Sequence, residues 1–155
     1  MASEPHAFLF KPGVWLGEGS IQLNLAREPL NFYTRWEVGD RADKNVACIQ
    51  LVEVGGLSDK MHNKFNITLE EGGVLKVELE NETIGKVEGH GVWDERLLAW
   101  EYGHGDNKEF EGYEVFEKQD DGGYLFRSEF MSEDQLRSNI SGRIWLPEDQ
   151  VRKHL

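Results

Sequence analysis

The chain has one cysteine, Cys48, so no disulfide can form within it, and at 155 residues a folded domain needs no such staple. It also lacks any apolar run long enough to cross a bilayer and any basic-then-apolar leader. The expectation is a reducing, cytoplasmic setting with no membrane. Basic residues are scarce: 17 Lys and Arg stand against 29 Asp and Glu, for a formal charge of −12, and no Lys/Arg stripe interrupts the acidic background. Such a chain repels phosphate backbones, so nucleic acid is excluded as an expected partner and the charge is read as a device for solubility.

Motifs for metal or covalent chemistry are missing too. The five histidines are scattered, with no Cys-x-x-Cys, no His-Glu-x-x-His and no acidic calcium loop, so no metal site is expected. No serine nucleophile elbow occurs. Gly17-Glu18-Gly19 lacks the following helix that would cradle a phosphate. Cys48 lies between Ala47 and Ile49 in an apolar stretch and reads as a buried, inert thiol. Helical signals are few. A capping-box spacing at Ser132 to Gln135 predicts about one turn, and Pro147 to Gln150 predicts a short C-terminal helix.

What the chain does have is strands. Turn residues recur at the spacing that marks an all-β sandwich or barrel. They separate about ten candidate strands: 14–25, 30–38, 46–54, 64–69, 74–80, 83–88, 97–102, 110–117, 124–131 and 139–146. The links between them are short and rich in Gly, Asp and Asn, which favours pairing of neighbours into an antiparallel meander. No linker or repeat divides the chain. It is therefore read as one domain over 1–155, with residues 1–12 as a loose N-terminal arm.

Alternation assigns the inner face, because successive residues on a strand point to opposite sides. Trp15, Gly17, Gly19, Ile21, Leu23 and Leu25 share one face of the first strand and are expected inside. Leu30, Phe32, Trp36 and Val38, then Phe65, Ile67 and Leu69, then Leu75, Val77 and Leu79, then Leu98, Trp100 and Tyr102, and finally Tyr124, Phe126 and Phe130 are expected inside. The expected result is a hollow centre lined by aromatic rings. The strand from Phe110 is mixed: Glu114 shares a face with Phe110 and Phe116, which suits a barrel interior better than a solid sandwich core.

The Gly13-x-Trp15 opening, the unbroken antiparallel series and a last strand carrying Arg143 before a short helix resemble the calycin superfamily of lipocalins, fatty-acid-binding proteins and nitrobindin-like haem barrels. The resemblance implies a lipocalin-like up-and-down β-barrel. It further implies that Trp15 and Arg143 form a structural pair at the closed end, where first and last strands meet. Arg143-x-Trp145 partly matches the late arginine and aromatic with which fatty-acid-binding proteins hold a carboxylate. Their helical lid has no room here, since only Ala26 to Leu30 separates the first two strands. Gly13-x-Trp15-x-Gly17-x-Gly19 is similar to the first strand of the haem barrels. The histidine they use near the chain end has only His154 as its counterpart, so haem, and any other cofactor, is not expected.

Three functions follow. The leading one is binding of a small hydrophobic or aromatic ligand, as a carrier or sensor, with Trp36, Trp100, Tyr102, Phe126, Arg127, Arg143 and Trp145 as candidate binding residues. The second is an enzyme on the same barrel, a lyase, isomerase or decarboxylase using Glu114 with an arginine. The third is a barrel filled by its own side chains that works as an interaction module. A homodimer is left open.

Overall fold

The computed structural model describes residues 5–56, 60–103, 110–132 and 136–147. Ten strands account for most of them: β1 (Gly13–Leu23), β2 (Leu30–Val38), β3 (Asn45–Val54), β4 (Lys60–Glu70), β5 (Val74–Asn81), β6 (Gly85–Trp93), β7 (Leu97–Tyr102), β8 (Phe110–Lys118), β9 (Tyr124–Ser132) and β10 (Arg137–Trp145). Each pairs antiparallel with the next, and β1 pairs with β10, so the sheet is a closed up-and-down barrel. Closure leaves no unpaired edge along β1 and β10. No helix occurs among the described residues. The terminal helix expected from Pro147 falls on 148–155, and the turn expected at Ser132 falls mostly on 133–135, both outside them.

Turn chemistry sets the strand ends. Between β4 and β5, Gly72 and Gly73 both take positive φ, 82° and 78°, the backbone a tight hairpin with right-handed strand twist requires. The largest departure from the expected strands is β6, which continues through Gly89 and Gly91 to Trp93 instead of ending at residue 88. Those glycines occupy inward positions beneath the rings of β7. A Cβ on Gly89 would lie 3.0 Å from Cδ1 of Tyr102, and one on Gly91 would lie 2.7 Å from Cβ of Trp100. They are absent side chains that make room for two large ones.

Odd strands run from one rim to the other and even strands return, so the rims differ in composition. At the rim where β1 begins, residues 6–10 fold inward instead of trailing. Phe8 and Leu9 are fully buried, and His6 and Phe10 nearly so. Their turn is closed by backbone bonds from Phe10 N and Lys11 N to Ala7 O, 3.2 and 3.0 Å, and Leu9 holds a left-handed backbone, φ 71°. The ring of Phe8 meets those of Trp15, Trp36, Phe116 and Tyr124 at 5.2–5.6 Å between centroids. The expected loose arm is thus, over these residues, a plug. Burial of Phe8 and Leu9 contributes about 2–3 kcal/mol each.

The plug rests on a solid aromatic layer. Trp36 on β2 meets Phe65 of β4 at 4.8 Å with the rings tilted, Phe65 meets Trp100 of β7 at 6.5 Å, and Trp100 stacks on Phe116 of β8 at 5.4 Å. These contacts span the barrel. The hollow centre expected from sequence is therefore corrected for the half nearer the plug, which its own side chains fill. The outer face carries ion pairs such as Lys86–Glu78, 3.0 Å, and Lys60–Glu53, 2.9 Å. No described helix is long and apolar enough to cross a membrane.

Candidate functional site

Above the aromatic layer, toward the rim where β1 ends, polar groups join the rings on the inner face. Three adjacent strands supply one cluster. Trp100 and Tyr102 on β7, Glu114 on β8 and Ser128 on β9 all point inward, with Glu114 paired in register to Trp100 on one side and Ser128 on the other. Trp100 Nε1–H is shared between Tyr102 Oη, 2.9 Å, and Glu114 Oε2, 3.0 Å. The Tyr102 hydroxyl donates to the same Oε2 at 2.9 Å, and Ser128 Oγ donates to Oε1 at 3.3 Å.

Glu114 is buried, with 7% of its surface exposed. Burial pushes its carboxyl up to about 6, against the pull of the bonds from Tyr102, Trp100 and Ser128, which favour the anion. The Tyr102 hydroxyl is raised well above its ordinary value by burial and by the neighbouring carboxylate. Among the described residues, Glu114 and Lys118 are the charged side chains at inward strand positions. Lys118 lies about 13 Å further along β8, at the plug, where Nζ donates to Pro5 O at 2.7 Å. No cation described in the chain reaches Glu114.

A second polar row crosses four strands. Asn81 Oδ1 accepts from the backbone N–H groups of Thr83 and Ile84, 2.9 Å each, which fixes the orientation of its amide. Its Nδ2 must then donate to Asn63 Oδ1, 3.0 Å, and Asn63 Nδ2 to Gln50 Oε1, 3.0 Å. Gln50 Nε2 donates to Thr34 Oγ1, 3.1 Å, which passes its own proton to Leu51 O, 2.9 Å. Each amide in the row uses one N–H and keeps another for a further acceptor.

Register places this row opposite the cluster. From Glu114 the paired positions run through Trp100, Gly91, Leu75 and Leu69 to Lys44 beside β3. The other way round they run through Ser128, Ile140, Ile21 and Leu30 to the Gly55–Gly56 turn after β3. Gln50 stands midway between those end points. It therefore faces Glu114 across a barrel about 20 Å wide between backbones, given ten strands about 4.8 Å apart and tilted about 40°. Toward the rim, Ile21, Ile84, Phe110, Phe130 and Ile140 are only partly buried although they pack on the core. This rim, opposite the plug, is termed the mouth.

Of the residues expected to bind, Trp36, Trp100, Tyr102 and Phe126 are inside. Trp36 belongs to the filled layer, and Trp100 and Tyr102 to the Glu114 cluster. Arg127, Arg143 and Trp145 are corrected: all lie on the outer face, since β9 and β10 turn Phe126, Ser128, Gly142 and Ile144 inward. Arg143 does not cover Trp15. It binds Glu18 across the β1–β10 seam at 2.9 Å and lies over the Trp145 ring, 4.9 Å to the centroid. Trp15 packs instead against Phe8 and Tyr124. Both arginines border an open external groove of about 840 Å³ that also passes Tyr33 and Leu125, so neither can assist Glu114.

Sequence reading missed Thr34, Gln50, Asn63, Asn81, Ser128 and the plug. The polar five carried a usable signal, since each falls on an inward parity. His62 and His90 are exposed, while His104 and His154 lie outside the described residues. His6 is buried with both nitrogens bonded, Nε2–H to Asp94 O and Nδ1 from the Tyr124 hydroxyl, 2.6 Å each, so it has no lone pair for a metal. Burial lowers its pKa. Cys48 is buried, and its thiol is pushed up to about 12 by burial. Among the described residues no cluster of His, Cys, Asp and Glu has metal-binding geometry.

No family model and no curated protein sequence matches the chain. Among solved structures it is similar to "Structure of EF1p2_mFAP2b bound to DFHBI", at 14% identity and a TM-score of 0.46, over 94% of this chain and 100% of that one.

Proposed function

We propose that the mouth half of the barrel binds a small, largely apolar or aromatic molecule, as a carrier or sensor of the calycin kind. The observation that carries this reading is the contrast inside one barrel. The plug half is filled by its own rings, whereas the mouth half presents partly exposed Phe and Ile side chains around polar groups held in fixed orientation. Pockets built this way take apolar ligands and orient them with a few convergent polar contacts. Binding involves no cofactor and no nucleic acid, and the setting is cytoplasmic, in keeping with one buried cysteine. Native mass spectrometry of freshly purified protein tests the reading directly. A co-purifying small molecule released by denaturation is the expected result, together with a change in tryptophan fluorescence when it is returned, since Trp100 sits in the site.

One observation favours a second reading. A carboxyl held near 6 beside a tyrosine is poised for proton transfer at neutral pH, so acid–base catalysis by Glu114 is retained, without the arginine expected from sequence. Turnover of a bound compound that vanishes in Glu114→Gln would establish it.

A further inference from the structure

This inference rests on the binding reading and specifies its ligand. When ionised, Glu114 is an anion inside a barrel with no countercharge in reach among the described residues, an arrangement that costs free energy unless something else supplies the positive charge. Its bonding capacity is also incomplete. Oε2 accepts from two donors, while Oε1 accepts one long bond from Ser128, 3.3 Å, and has a lone pair to spare.

The surroundings suit a cation. Phe110 and Phe130 stack at 5.2 Å on the mouth side and meet the Tyr102 ring at 5.6 and 6.2 Å, so aromatic rings, whose quadrupoles attract positive charge, adjoin the Glu114 cluster. The formal charge of −12 raises the local concentration of cations outside the mouth. An anionic ligand meets the reverse: repulsion from the whole protein and from Glu114, with Arg127 and Arg143 on the far side of the wall.

We infer that the molecule taken up by the mouth carries a basic nitrogen, an amine or N-heterocycle on an apolar frame, which donates as a cation to Glu114 Oε1 and lies against Tyr102, Phe110 and Phe130. The amide row across the barrel, with its spare N–H groups, then favours an acceptor at the other end of the same molecule.

The test uses the full chain and calorimetry with matched probes on two frames: 2-phenylethylamine, 2-phenylethanol and 3-phenylpropanoate, then tryptamine, indole-3-ethanol and indole-3-propionate. Each amine is expected to bind roughly tenfold or more tighter than its alcohol at about pH 7.5, with the carboxylate weakest. Near pH 6 amine binding should release protons, because a bound cation favours the Glu114 anion. Heats measured in two buffers of different ionisation enthalpy report this without any variant. Glu114→Gln should abolish the amine's advantage while alcohol binding persists. Alcohols or carboxylates binding as tightly as amines, or proton uptake in place of release, overturn the inference and leave the binding reading standing. Failure of every probe on both frames, with nothing co-purifying, removes the binding reading and the inference together.

Discussion

The plug half buries His6 and the mouth half Glu114 among aromatic rings, and the two answer protons in opposite senses. At the plug, His6 is neutral in the fold, squeezed by burial and by the charge of Lys118, with Asp94 and Tyr124 as its other neighbours. Its folded pKa lies below the ordinary value of 6.5, so its contribution is present above that value and is lost as pH falls through the folded one. At the mouth, Glu114 is raised from 4.5 to about 6, so the folded state holds the extra proton and stability falls as pH rises between those values. The lesson lies in the partners. His6 uses both nitrogens within the chain, whereas Glu114 keeps an unused lone pair. One end is complete as it stands, and the other has an acceptor left over.

The sharpest way to break this comparison is at the plug. Phe8→Ala removes a ring in contact with four others and is expected to cost about 3–5 kcal/mol in urea unfolding, with probe binding at the mouth retained wherever the protein stays folded. If binding disappears while the fold persists, the two halves are not independent. Next in size is the pH effect. Unfolding free energy should drop by about 2 kcal/mol between pH 4.5 and neutrality on account of Glu114, and Glu114→Gln should flatten that slope while leaving the acid-side loss due to His6. A slope unchanged in the variant would show that the carboxyl is not buried as described. Hydrogen exchange sharpens the assignment: residues 6–11 should lose protection as pH falls below 6.5, with no parallel loss around Glu114.

Smaller effects test the walls. Asn63→Leu interrupts the amide row in its middle and should cost about 1–2 kcal/mol by stranding Gln50 Oε1 and Asn81 Nδ2, measured by thermal melting. Arg143→Ala should change stability by less than about 1 kcal/mol, since its pair with Glu18 is exposed, and should leave ligand affinity unaltered. A large loss of affinity in that variant would return the arginine to the site and contradict its outward position.

Much of the barrel was legible because alternation and turn residues are local signals. The strands around Trp36, Trp100 and Phe126, and the inward parity of Glu114, follow from them directly. What stayed hidden depends on register across strands. Nothing local says that Gln50 stands opposite Glu114, or that Arg143 reaches Glu18 instead of Trp15. Nothing local says that β6 continues through Gly89 and Gly91, because the rings they accommodate belong to the next strand. The plug was misread for a different reason: Phe8, Leu9 and Phe10 have no periodicity to reveal what they cover, although three consecutive apolar residues in an acidic chain are a reason to look for a place to bury them.

Because β1 sets out from the plugged rim and β10 returns to it, both ends of the described barrel emerge on the same side. A tag, tether or fused domain attached at either end of the described barrel would therefore sit on the plug side, and immobilising the protein by such a handle would turn the opposite rim toward the surrounding solution.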